Sequence, residues 1–382
     1  MKKIILTVFI AVFCAFSTLS ALSWSGIVDN NSTLSANDDF SVLGLKQSNG
    51  IYLSLNSNLT ETGNLRFSAE GLYKYKLTCN FDSGDATFQN IADCNLLKLS
   101  GKWILDNGTL SLGAGRFQYT DFSGTVFSQV SDGLYISYNS LKFKASLYGG
   151  YTGLLNRLNV SMIDNESDED DQFYALCPKY IPVTADISYK ALFDTNTIGL
   201  QCAAYIPSSD DYNLKTYGTL VLNGFFGTVG SYDARVTAGS EMVDDSFDGL
   251  MLDAKLDTNF YVGKNAMITA GGEYVSGNQG ALKPFKTLSA RSFGSAPFYN
   301  GVIVPKIGAM YAVNKLYANV TERVLLAIPE DEVKLDGFDT SVNVIYNLFS
   351  DVQLGCNIGA YICTEEKEKS NYSATIKASL AF

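Results

Sequence analysis

The sequence predicts an all-β chain that closes into a transmembrane, antiparallel up-and-down β-barrel of about eighteen strands, sixteen being the alternative. Three observations carry this expectation. The chain opens on an export-type segment, apolar and polar residues then alternate with period 2 almost to the last residue, and the connectors are alternately short and long.

Composition narrows the field. In 382 residues there are 33 glycines and 23 each of Tyr and Phe, but only seven prolines, a balance that suits strands. There is no histidine, which removes His-ligated zinc, Ser-His-Asp triads and Cys-His pairs. A net charge of −11 argues against nucleic acid as a partner. No Gly-x-Ser-x-Gly elbow, Walker A loop or Cys-x-x-Cys occurs, so neither an enzyme nor a cofactor is expected.

Residues 1–23 read as a signal peptide. Lys2 and Lys3 precede an apolar run from Ile4 to Phe16, too short to span a bilayer as a helix. Cleavage after Ser23 fits small residues at the cut, with Ala21 and Ser20 as rivals; bulky Phe13 before Cys14 argues against lipidation. Loss of both lysines takes the net charge to −13. Residues 24–37, acidic and rich in Ser and Asn, read as a periplasmic tail or small plug ahead of a single barrel domain, with the domain as a whole taken as 24–382.

Alternation is clearest at the end of the chain. Tyr372, Ala374, Ile376, Ala378, Leu380 and Phe382 share one face; Ser373, Thr375, Lys377, Ser379 and Ala381 share the other. With this terminal strand, its aromatic last residue and the export signal, the chain resembles bacterial outer-membrane β-barrel proteins of the porin kind. The resemblance implies an outer-membrane location, contact with outer-membrane lipid, and recognition of Phe382 by the barrel assembly machinery. It also implies passage of small solutes and admits a homo-oligomer.

Strands are expected near 38–46, 48–59, 64–79, 94–104, 108–116, 131–139, 140–152, 183–192 and 196–206. Others are expected near 212–223, 227–238, 250–261, 264–276, 300–312, 314–324, 337–348, 350–362 and 370–382. Tight, turn-prone links such as Asp106-Asn107-Gly108, Gly263-Lys264-Asn265 and Val313-Asn314 alternate with long polar links near 80–93, 117–130, 153–182, 239–249, 277–299, 325–336 and 363–369. Only the 207–211 and 47 links break this contrast, and counted back from a periplasmic C-terminus every tight turn falls on the periplasmic side. Small residues on apolar faces (Ala69, Ala145, Ala254) and aromatics near strand ends (Tyr205, Tyr311, Phe349) favour a lipid-facing wall over a soluble β-sandwich.

If apolar faces meet lipid, the opposite faces line a pore. They carry Arg66, Lys74, Lys76, Lys98, Lys102, Lys142, Lys144, Lys190, Lys215, Arg235, Lys255, Arg323 and Lys377, against six acids. Such an excess points to a pore favouring anionic solutes; wall-stabilising ion pairs are the plainer alternative. Arg116, in the stretch Gly113-x-Gly115-Arg116-Phe117 that leads to Asp132-Gly133, and Lys283, Lys286 and Arg291 of the 277–299 link are candidates for a constriction or ligand loop. The acidic run Asp164 to Asp171 lacks the glycine of a calcium loop and reads as solvated, so no metal is expected. Cys79 and Cys94, flanking one link, are spaced for a hairpin disulfide. The function expected is passive diffusion of small hydrophilic, and by the basic wall anionic, solutes. A surface adhesin or structural barrel with an occluded lumen is the alternative.

Overall fold

The computed structural model describes residues 22–38, 42–151, 180–192, 195–208, 212–329 and 332–382. The first 21 residues of the expected signal peptide, the acidic run Asp164 to Asp171 and Cys177 lie outside the described residues.

Eighteen long strands form the wall. They are β1 (Leu22–Ala36), β2 (Val42–Asn58), β3 (Leu65–Asn80), β4 (Ala86–Leu105), β5 (Gly108–Thr120), β6 (Ser128–Asn139), β7 (Phe143–Tyr151), β8 (Tyr180–Leu192) and β9 (Asn196–Pro207). Next come β10 (Lys215–Phe225), β11 (Gly230–Val243), β12 (Ser246–Val262) and β13 (Ala266–Val275). Three two-residue pieces follow inside one link: β14 (Leu282–Lys283), β15 (Ser292–Phe293) and β16 (Ala296–Pro297). The wall resumes with β17 (Val302–Val313), β18 (Leu316–Ala327), β19 (Lys334–Asn347), β20 (Val352–Cys363) and β21 (Asn371–Ala381).

Each wall strand pairs antiparallel with the next, and β1 pairs with β21 from Ile27↔Ala381 to Ala36↔Tyr372, which closes the sheet and leaves no edge. A closed sheet satisfies every backbone group internally, the condition for spanning lipid. Eighteen strands also make a lumen wide enough for water. Leu53, Leu134, Ile187, Leu200, Leu256 and Ile307 are exposed on the outer face, as expected where lipid and not a core is the neighbour.

The expected strand count holds, but its beginning differs. Residues 24–36 are neither tail nor plug: they lie in β1, and the strands expected at 38–46 and 48–59 are one strand, β2. β1 carries polar side chains on both faces (Asp29, Asn31 and Thr33 inward; Asn30 and Ser32 outward), so period 2 is invisible there. The long links expected at 239–249 and 80–93 also shrink. β11 and β12 run on to a two-residue turn at Asp244 and Asp245, both left-handed (φ 47° and 61°), and β4 begins at Ala86. Strands that continue past the apolar band meet water on both faces and lose their alternation. This Asp-Asp turn is tight yet lies at the opposite end from the other tight turns, contrary to expectation. Register also corrects the cysteine pairing: Cys79 faces Ala86 while Cys94 faces Gly71, about 25 Å along the strand, beyond the reach of a disulfide.

Candidate functional site

Register fixes which side chains face the lumen. On β3, Arg66, Glu70, Lys74 and Lys76 share a face with Ser54, Gly50 and Ser48 of β2, and Lys98 of β4 lies opposite Ser68 on that face, with Lys102 further along it. Arg235, Lys255, Arg323 and Lys144 are inward on their strands as well. Lys142 is not: it sits in the turn between β6 and β7, where its carbonyl accepts from the Lys190 N–H (2.8 Å), because β7 starts one residue later at Phe143.

Two links fold into the lumen. At Gly115 the backbone takes φ +118°, and a Cβ there would lie 2.1 Å from the Leu97 carbonyl oxygen, so only glycine serves. Pairing of β5 with β4 ends one residue later, at Arg116↔Leu97, and the hairpin tip crosses the lumen. The Phe122 N–H donates to Gln201 Oε1 of β9 (2.8 Å), and Arg235 of β11 donates to the carbonyls of Phe122 (3.3 Å) and Ser123 (3.4 Å). Asp121 holds the tip together, accepting from Ser123 Oγ (2.6 Å), the N–H groups of Gly124 (2.8 Å) and Phe127 (3.1 Å), and Tyr205 Oη (3.0 Å). Burial pushes its carboxyl above the usual range, although these four donors work the other way.

The second inward link is 276–301. Lys286 reaches Glu241 (2.5 Å), Arg291 reaches Asp253 (3.1 Å) and Glu273, and its guanidinium lies 4.4 Å from the Phe298 ring centre. Asp339 of β19 accepts from the N–H groups of Ser295 (2.6 Å) and Ala296 (3.1 Å). The two links brace each other: the Leu288 and Ser289 N–H groups donate to the Val126 carbonyl (2.8 and 3.1 Å), and the Ser128 N–H donates to Ser289 Oγ (2.9 Å). Val126, Phe127, Phe285, Leu288 and Phe293 bury themselves against Tyr180, Tyr205 and Tyr217 of the wall. A hydrophobic core thus stands inside the barrel, against β8 to β10, β12, β13, β17, β18 and β20.

The lumen is therefore electrostatically two-sided. Under the inward links, five wall bases meet an acid among the described residues: Arg235–Asp233 (2.6 Å), Lys255–Asp257 (3.5 Å), Lys306–Asp257 (2.6 Å), Arg323–Asp339 (2.6 Å) and Lys215–Glu241 (3.5 Å). On the open side, Lys74, Lys76, Lys98 and Lys102 have no ion-pair partner among the described residues. Lys98 instead lies over the rings of Tyr135 (4.7 Å) and Phe117 (4.9 Å), which hold its charge without cancelling it. A cavity of about 440 Å³ opens there, between Tyr52, Glu70 and Lys74 of the wall and Gln118 and Val130 on the back of the hairpin. A smaller one, about 260 Å³, lies on the paired side among Lys255, Glu273, Arg291, Lys306 and Arg323.

Three of the four candidate loop bases sit where the links enter the lumen. Lys286 and Arg291 anchor the second link, and Arg116 is buried against Asp132 (3.4 Å) at the root of the hairpin. Lys283 pairs with Asp248 (3.2 Å), half-exposed at the loop end of β12. Lys306, Asp121 and Asp339 were missed by sequence reasoning. Lys306 was recoverable, since it alternates inward with Val302 and Val304; the two aspartates act through loop backbone that period 2 does not describe.

No protein-family model matches the sequence, and no curated protein sequence does. Solved structures do match. That of Pseudomonas aeruginosa OccK5 (OpdH) superposes with a TM-score of 0.63 over 95% of this chain and 98% of that one, at 12% identity. P. aeruginosa OpdK with vanillate gives 0.62 over 94% and 98%, at 12% identity. P. aeruginosa OpdL gives 0.63 over 95% and 99%, at 13% identity. The shared feature is the fold: a closed, antiparallel, eighteen-strand barrel of the outer-membrane porin type. Another structure of OpdK is described as that of an outer membrane protein from the same organism.

Proposed function

We propose that the chain is an outer-membrane channel for passive diffusion of small hydrophilic solutes, with a preference for anions. One observation carries the reading: the inward links fill and neutralise one side of the lumen and leave the other open, lined by lysines without acid partners. Unpaired cations in a narrow aqueous path raise the local concentration of anions. Vanillate, present in the structure of one structural neighbour, is a small carboxylate and supports the same solute class. The expected signal peptide and recognition of Phe382 by the assembly machinery complete the proposal. In β1, Leu22 already pairs with Ser57, which favours cleavage after Ala21 over cleavage after Ser23.

The test is single-channel recording of refolded protein in planar bilayers. Discrete conductance steps support the channel. Absence of steps above background, from protein that migrates as a folded barrel, moves the reading to an adhesin or structural barrel.

A further inference from the structure

We infer that the outer wall carries a lipid seat at the closing seam, built to hold an acyl chain that bears an amide or a hydroxyl. Lipid-facing strands ordinarily present apolar side chains, yet β1 and β2 place Asn30, Ser32, Gln47 and Asn49 outward in adjacent cross-strand pairs, Asn30↔Asn49 and Ser32↔Gln47. The island lies within the apolar band, because Ile376 beside Ser32 is 65% exposed, Phe88 on the far side 61% and Leu34 further along β1 48%. Asn30 Nδ2 donates to Asn49 Oδ1 (2.5 Å) and Ser32 Oγ to Asn30 Oδ1 (3.4 Å). Among the described residues, the Nδ2 of Asn49 and the carboxamide of Gln47 find no protein partner. Such groups are costly in hydrocarbon unless a neighbouring molecule satisfies them.

A second observation supplies the shape. A groove of about 390 Å³ runs over this spot on the outer face, with Asn30, Asn49 and Ile51 in its floor, Tyr73 and Tyr75 along one side and Ala378 along the other. Asn49 pairs with Tyr75, and Tyr73 donates to Asn90 (2.9 Å), so polar-tipped aromatics flank the groove. The side chains lining the outer face of the groove carry no charge. The occupant is therefore a bilayer lipid recognised by its neutral amide or hydroxyl, not by its headgroup phosphate.

The inference rests on the reading of this wall as membrane-facing. Full-length mature barrel, refolded in detergent, is to be studied by native mass spectrometry with sphingomyelin or phosphatidylcholine added. The two share a headgroup, but only sphingomyelin has the amide and adjacent hydroxyl. The expected result is one sphingomyelin retained at about tenfold preference. Asn49→Leu should abolish the preference, and Ala378→Phe, which fills the groove, should abolish retention. Heat-modifiable migration verifies that each variant is folded. Equal retention of the two lipids, preference unchanged in Asn49→Leu, or a barrel dimer in place of bound lipid overturns the seat. A chain that is monomeric in water without detergent overturns the membrane reading itself.

Discussion

The guanidinium of Arg323 lies 2.6 Å from Asp339, a fully buried carboxylate whose other oxygen accepts the Ser295 and Ala296 N–H groups. One wall aspartate thus neutralises a lumen base and fastens an inward link. Asp339→Ala leaves a base and two amides without their acceptor, at a cost of about 3–5 kcal/mol. The expected outcome is a lower unfolding temperature in detergent and a larger, noisier single-channel conductance as the 276–301 link loosens. A conductance equal to wild type would show that the link does not narrow the path.

Gly115 makes the corresponding prediction for the hairpin. Its φ of +118° suits glycine alone, and a β-branched side chain would strike the Leu97 carbonyl. In Gly115→Val the tip should leave the lumen. A cysteine introduced as Val126→Cys, fully buried at the tip, should then react with a membrane-impermeant maleimide at least several-fold faster than in the Gly115 background.

Asp121 adds a pH dependence. Its pKa is raised in the folded state by burial, so folding favours the protonated form. Its contribution is full below the unfolded value, about 4, and is lost as pH rises through the raised folded value. Protection of Val126→Cys, each rate normalised to that of the denatured protein at the same pH, should therefore weaken as pH rises. Asp121→Asn, which does not titrate, should flatten this dependence.

At the seam, Gly26 and Phe382 exchange two backbone hydrogen bonds (2.8 and 2.9 Å), and the Trp24 ring packs edge-on to Phe382 at 6.1 Å. A Cβ on Gly26 would lie 2.3 Å from the Phe382 ring. Deletion of Phe382 removes the last closing bonds and an interface anchor, so the heat-modifiable band should weaken, while Phe382→Tyr should preserve it. Gly26→Leu should weaken the band less than the deletion, because the exposed Phe382 ring can turn aside while the backbone bonds stay.

What could be read in advance follows from where alternation holds. Within the apolar band, lipid on one side and water on the other impose period 2, so Lys74, Lys98 and Arg323 were placed inward from the sequence alone. β1 escaped because Asn30 and Ser32 are polar where lipid-facing residues are expected, and the loop ends of β4, β11 and β12 escaped because water lies on both sides. The two-sidedness of the lumen was not legible. Counting bases against acids along the wall could not show that Asp257 serves both Lys255 and Lys306, or that Asp339 serves a loop as well as Arg323.

The central claim is that the open side of the lumen, with its unpaired lysines, sets the preference of the pore. Reversal potential across a bilayer under a salt gradient at low ionic strength, where the Debye length approaches about 30 Å at 0.01 M, measures it most directly. Wild-type protein should be anion-selective, and Lys74→Glu with Lys98→Glu should shift the potential toward cations. The same charge reversal at Lys255, which already pairs with Asp257, should shift it less. A cation-selective wild-type pore, or an equal shift from Lys255→Glu, would contradict the account.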